Sequence, residues 1–108
     1  MVDYHYNKEI NKRVVRMHEL RPELFEAFVD FDGKVFKEGL LNTKVKELIA
    51  VAAAHITQCP YCIAAHTKRA KKAGASDGEL AEAIFVAMAI RAGGSFAHSA
   101  ITMETLEE

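Results

Sequence analysis

Charge of one sign is missing from this sequence: 14 basic residues face 15 acidic ones, for a net charge of -1. That balance creates no strong field to recruit nucleic acid or an anionic membrane, and no basic patch with interleaved aromatics is present. Long apolar runs are missing too. The longest, residues 83–90, falls far short of the roughly 20 residues that a membrane span needs. Met1-Val2-Asp3-Tyr4-His5-Tyr6 lacks the charged and then apolar run of a secretory signal, so the expected location is cytoplasmic. Period-2 alternation and β-branched clusters are scarce, which argues against a sheet. No low-complexity tract, linker or repeat divides the chain, so residues 1–108 are expected to form a single domain with a modest core. Only two cysteines occur, Cys59 and Cys62. Two at that spacing, without an export signal, read as a redox or metal pair and not as a structural staple.

Helical spacing is what remains. Residues 7–18 predict a first helix with Ile10, Val14 and Met17 on one face. Arg21-Pro22 breaks it, because the residue before proline is disfavoured in helical geometry. Pro22 then suits the first turn of a second helix carrying Leu24, Phe25, Phe28, Phe31 and Val35, which Gly39 is expected to end. Asn42 or Thr43 caps a third helix, with Val45, Leu48, Ile49, Ala52 and Ile56 inward, ending near Gln58. A fourth opens at the cysteines and reaches Ala73, where Gly74 supplies a left-handed stop. Its basic exit (Lys68, Arg69, Lys71, Lys72) suits the negative end of the helix dipole.

Ser76-Asp77-Gly78-Glu79 is a capping box that starts a fifth helix. Apolar residues surround that helix from Leu80 to Ile90, so it needs burial on every side, and subunit contacts are the expected cover. Gly93-Gly94 is expected to interrupt the pattern before a last segment over residues 95–106. The expected fold class is all-α: a bundle of five to six helices with Cys-x-x-Cys at the start of a central one.

The cysteine pair carries the chemistry. Pro60 fits the first helical position, so Cys59 falls at the N-cap and Cys62 in the first turn. Three residues apart, they lie close enough to form a disulfide with little backbone movement. The positive end of the helix dipole also favours thiolate over thiol. His66 follows Cys62 by one turn on the same face and suits a base or a thiolate partner. If the third and fourth helices form a hairpin about Gln58, Glu47 and His66 differ by about 4.5 Å along it, within reach of a side chain or one bridging water. Glu47, His66 and Cys62 then make a relay of orienting acid, base and nucleophile. His55 sits near the hairpin turn and Tyr61 lies between the cysteines. Both are possible accessories, although simple packing suits each better. His98 is a weaker candidate, and His5 and His18 read as surface residues.

Glu47, eleven residues, Cys59, two residues, Cys62, three residues and His66 form a pattern that resembles the AhpD-like alkylhydroperoxidases of the carboxymuconolactone decarboxylase superfamily. The resemblance spans roughly residues 41–99, including Gly74-Ala75-Ser76-Asp77 and the two glycines. It implies an all-helical fold, thiol–disulfide chemistry against peroxides, and homo-oligomers, trimers or hexamers, for short members. It also implies a proton relay from Glu47 and His66 to Cys59 and Cys62. The decarboxylase branch lacks the cysteine pair. The best-studied pattern has a histidine where this chain has Tyr61, which shortens the relay by one group.

The expected function is thus a thiol–disulfide oxidoreductase with hydroperoxide reductase activity. It takes a hydroperoxide or disulfide substrate and a dithiol reductant or redox partner protein, with no cofactor and no metal. Cys62, with the closer base, is favoured for peroxide attack, and Cys59 for meeting the external dithiol. The alternative is a zinc module ligated by Cys59, Cys62, His66 and Glu47 or His55. About 10.5 Å of helix between Cys59 and His66 weighs against one tetrahedral centre. A helical interaction protein with incidental cysteines is the third reading.

Overall fold

A computed structural model describes residues 10–108, and side chains from Lys12 onward. Five helices follow in order: α1 (Ile10–Leu20), α2 (Pro22–Val35), α3 (Thr43–Thr57), α4 (Pro60–Lys72) and α5 (Asp77–Leu106). The described chain is all-α. The expected start of the first helix, and His5, lie outside the described residues.

Local chemistry accounts for most of the boundaries. Asn42 caps α3, its side chain accepting from the Val45 N–H at 2.9 Å. Gln58 closes α3 in the left-handed region (φ 58°, ψ 48°) and turns the chain into α4. A Schellman motif ends α4: the Ala75 N–H reaches the Ala70 carbonyl at 2.9 Å, and the Gly74 N–H reaches Lys71 at 3.0 Å. Gly74 takes φ +100° there, a value that L side chains rarely adopt. The reciprocal capping box at Ser76 and Glu79 starts α5.

Two boundaries differ from expectation. The second helix stops at Val35 and not at Gly39. Lys46 Nζ donates to the carbonyls of Val35 and Lys37 (2.7 and 2.5 Å), so a side chain of α3 takes up the terminal carbonyls early. The fifth helix runs unbroken through Gly93-Gly94 for 30 residues. Each glycine costs about 1 kcal/mol, and helix propagation from both sides outweighs that.

The core is a small cluster of Val51, Ala70, Ala75 and Leu80, with Leu48 and Ile84 packed against it. It ties α3, α4 and the first half of α5 together. Lys44 adds an ion pair to Glu79 at 2.9 Å. By contrast, α1 and α2 hold chiefly to each other, where His18 stacks on Phe25 and pairs with Glu26 at 2.7 Å. The aromatic stripe of α2 is not core: Phe28 and Phe31 are each 64% exposed.

Much of α5 is also uncovered, with Phe96 at 80% and Leu106 at 75% exposure. Its unbroken length carries an 18-residue stretch of mean hydropathy 1.4, long and apolar enough to cross a bilayer by length and composition. The uninterrupted apolar run of residues 83–90 gave no hint of this, because small and weakly polar residues extend the apolar stretch beyond Ile90. Its inward side, Leu80, Ile84 and Ala87, lies at i, i+4 and i+7; Leu80 and Ile84 join the core cluster and Ala87 is buried.

Candidate active site

Cys59 is the N-cap of α4, and Pro60 holds the first helical position. The Cys62 N–H points at Cys59 Sγ from 3.3 Å, so a sulfur does the capping that an oxygen usually does. The two sulfurs are 2.6 Å apart, in hydrogen-bond contact as free thiols. Either thiol can donate; the backbone N–H directed at Cys59 favours a thiolate there, and with Cys59 ionised Cys62 is the donor.

That asymmetry separates the two acidities. The hydrogen bond from Cys62 holds the Cys59 thiol below its ordinary value. Burial opposes this in part, and the backbone N–H groups of Cys62 and Tyr61 add smaller contributions in the same direction as the bond. Cys62 is pushed the other way, first by its bond to Cys59, then by burial and by the charges of Cys59 and Asp32. Cys59, and not Cys62, is therefore the thiol poised to ionise. The nearer histidine favours Cys62 by spacing, whereas the acidity favours Cys59, chiefly through the bond from Cys62.

Further along α4, His66 Nδ1 meets Glu47 Oε1 of α3 at 2.6 Å. The bond is direct, without the water that the hairpin count allowed. Glu47 is 3% exposed, the one charged residue in the core among the described residues. Burying a carboxylate is costly unless it is paired, and His66 supplies the partner. A carboxylate oxygen only accepts, so the bond fixes the Nδ1–H tautomer and leaves Nε2 free to act as a base. Phe36, just past α2, stacks on the imidazole with centroids 5.0 Å apart and planes at 27°. Sequence reading did not single out Phe36. Its position outside the stripe of α2, just before the turn to Asn42, carries no signal for a residue that contacts His66.

The remaining candidates fall elsewhere. His55 is half-buried and donates Nδ1–H to the carbonyl of Val51 one turn back, at 2.8 Å. Tyr61 is 40% exposed beside the dithiol. His98 is exposed on the second half of α5. The structure thus gathers the named residues as two couples along α4, Cys59 with Cys62 at its start and His66 of α4 with Glu47 of α3. Among the described residues no three His, Cys, Asp or Glu side chains converge as a metal-binding group. An open cavity of about 630 Å³ lies behind Glu47, at the opposite end of α4 from the cysteines, lined in part by Asn42, Thr43, Arg69 and Lys72.

Similarity to known proteins agrees with this layout. The profile of the carboxymuconolactone decarboxylase family matches residues 22–104. An uncharacterized protein of the cox locus in Paracoccus denitrificans is 45% identical over 83 residues, 77% of this chain and 75% of its own length. A crystal structure of a carboxymuconolactone decarboxylase family protein from Legionella pneumophila superposes with a TM-score of 0.73. It is 35% identical and covers 94% of this chain and 90% of that one. A family protein from Thermotoga maritima, for which a part in antioxidative response has been suggested, has a TM-score of 0.57. It is 30% identical over 75% of this chain and 93% of that one. With the matched profile taking in both couples of the site, the chain belongs to the carboxymuconolactone decarboxylase family.

Proposed function

We propose that the chain is a thiol–disulfide oxidoreductase that reduces alkyl hydroperoxides, with Cys59 and Cys62 as its working dithiol. The observation that carries this reading is the contact between the two sulfurs at the start of α4, with the backbone donors aimed at Cys59. The Cys59 thiolate attacks the terminal peroxide oxygen. The O–O bond breaks, the departing alkoxide takes a proton to become the alcohol, and Cys59 is left as a sulfenic acid. Cys62 then attacks that sulfur, the S–S bond forms, and hydroxide leaves with the Cys62 proton as water. An external dithiol returns the disulfide to two thiols. The couple of Glu47 on α3 with His66, one turn beyond Cys62 on α4, is suited to hold and pass the protons of these steps.

The family membership and the antioxidative role suggested for the Thermotoga maritima relative lend support. The test is hydroperoxide consumption by the full chain with dithiothreitol as electron source, each cysteine replaced by serine in turn. Turnover lost in both variants is the expected result. Wild type that reduces model disulfides and no hydroperoxide would leave the oxidoreductase and remove the peroxidase.

The same reading includes self-assembly. The apolar surface of α5 beyond Ala87, from Met88 to Leu106, is left exposed by a single chain. A second copy of the same helix is the partner whose chemistry matches it best, since the surface has few charges to meet an unlike one.

A further inference from the structure

Two features of this chain have no task within it. The first is Gly93-Gly94, through which α5 runs unbroken; a Cβ at either glycine would meet nothing within 4 Å. Each still weakens the helix relative to alanine. The second is the apolar stripe of α2, formed by Leu24, Phe28, Phe31 and Val35 at i, i+4, i+7 and i+11. All four are exposed, and among the described helices α2 packs on α1 alone. The radius of gyration is 17.9 Å, where a compact chain of this length has about 13 Å.

The two features fit each other. Outside its inward side, α5 carries two apolar flanks, one with Phe85, Phe96 and Met103, the other with Val86, Ile90, Gly93 and Ala97. Pairing with the same helix of a second copy engages one flank and leaves the other. Val86, Ile90, Gly93 and Ala97 repeat the spacing of the α2 stripe, and both stripes run about 16.5 Å. Laid together at that register, one aromatic ring falls on Gly93: Phe28 with the helices antiparallel, Phe31 with them parallel. A glycine there lets the ring approach the backbone closely.

Within one chain the two stripes stay apart. The exposed parts of their large side chains come to roughly 600 Å² per contact, taking about 200 Å² for a whole phenylalanine. A two-fold pair makes the contact twice, roughly 1,200 Å², where stable interfaces begin. A bilayer suits α2 poorly, because Glu23, Glu26, Asp30 and Asp32 flank the stripe. We propose that two copies exchange this arm, the α2 stripe of each lying on the Val86–Ala97 flank of the other's α5 with an aromatic ring over Gly93. The proposal rests on the self-assembly reading above and names a second contact for it. Val35 directly precedes Phe36, so the exchanged surface ends at the ring that lies on His66.

Crosslinking tests the exchange. With Cys59→Ser and Cys62→Ser as background, differently tagged chains are co-expressed, one with Gly93→Cys and one with Phe28→Cys or Phe31→Cys. A short bismaleimide should join the two tags covalently for one of the α2 variants. Gly93→Cys chains that link only to each other overturn the exchange, and so do both cysteines in one chain that link only within it. No link at all in an assembled protein also overturns it, and uptake of the wild type by phosphatidylcholine vesicles would then give the stripe to lipid. A second measurement keeps the native cysteines. Gly93→Ala strengthens the helix locally, yet it should raise the concentration at half-dissociation about tenfold, because the added methyl meets the ring. Gly33→Ala makes the same change on the face of α2 opposite the stripe and should leave that concentration within about twofold. Association unweakened by Gly93→Ala, or weakened as much by Gly33→Ala, overturns the exchange. A monomeric wild type refutes the self-assembly reading and this proposal together, whereas an assembled wild type without the link refutes this proposal alone.

Discussion

Glu47 Oε1 and His66 Nδ1 meet at 2.6 Å across 19 positions of sequence, locking α3 to α4 inside their hairpin. The bond is structural and chemical together. Glu47→Ala strands a half-buried imidazole without its acceptor and should cost about 2 kcal/mol, read as a lower urea midpoint. Glu47→Gln keeps an acceptor and should cost less. Both should slow hydroperoxide turnover about 100-fold, the size of a lost acid–base partner. A Gln variant with full turnover would remove Glu47 from the relay.

Thiol acidity gives a second prediction. Cys59 ionises below its ordinary value because Cys62 donates to it, so thiolate appears as pH rises through that lowered point, and Cys62 follows only at higher pH. Cys62→Ala removes the largest cause and should move the Cys59 midpoint upward. Cys59→Ala should bring the Cys62 midpoint down toward the usual thiol value. Ultraviolet absorbance of thiolate against pH reads both. At neutral pH, iodoacetamide should label Cys59 first in wild type, as peptide mapping will show.

The stack of Phe36 on His66 makes Phe36 a positioning residue. Phe36→Leu keeps an apolar side chain and loses the planar face, at a cost of about 1 kcal/mol. The imidazole should gain rotational freedom, so the His66 ring resonances in nuclear magnetic resonance should shift and broaden. Unchanged His66 ring resonances with lowered stability would reduce Phe36 to packing.

Two glycines should respond in opposite directions to alanine. Gly74 holds φ +100° in the Schellman turn, and a Cβ there is strained although no atom stands within 4 Å. Gly74→Ala should destabilise by about 1–2 kcal/mol. Gly33 lies inside α2 with the same open space, and Gly33→Ala should stabilise by about 0.5–1 kcal/mol. Thermal unfolding of the two variants checks the pair.

Assembly is testable by light scattering, which should return several times 12.0 kDa. A double charge substitution on α5, Phe96→Glu with Ile101→Glu, should shift the protein toward smaller species, because both side chains are exposed in one chain. A monomeric wild type would refute the second copy as the cover of α5. Partition of the wild type into lipid vesicles would point to a bilayer in its place.

Several features follow from residue type and spacing alone. Asn42, Pro60, Gly74 and the Ser76–Glu79 box act on backbone groups within four residues, so their helix ends were legible before any fold. The spacing of Glu47, Cys59, Cys62 and His66 was legible as well, because a hairpin about Gln58 is set by helix rise. Tertiary structure decided the rest. Whether α2 ended at Val35 or Gly39 depended on Lys46, a residue of another helix. Continuity of α5 through Gly93-Gly94 depended on cooperative propagation from both sides, against a local preference for a break. Which thiol ionises depended on the contact between the two sulfurs at the start of α4. Phe36 joined the site only through its ring stack on His66, a long-range contact that no local pattern encodes.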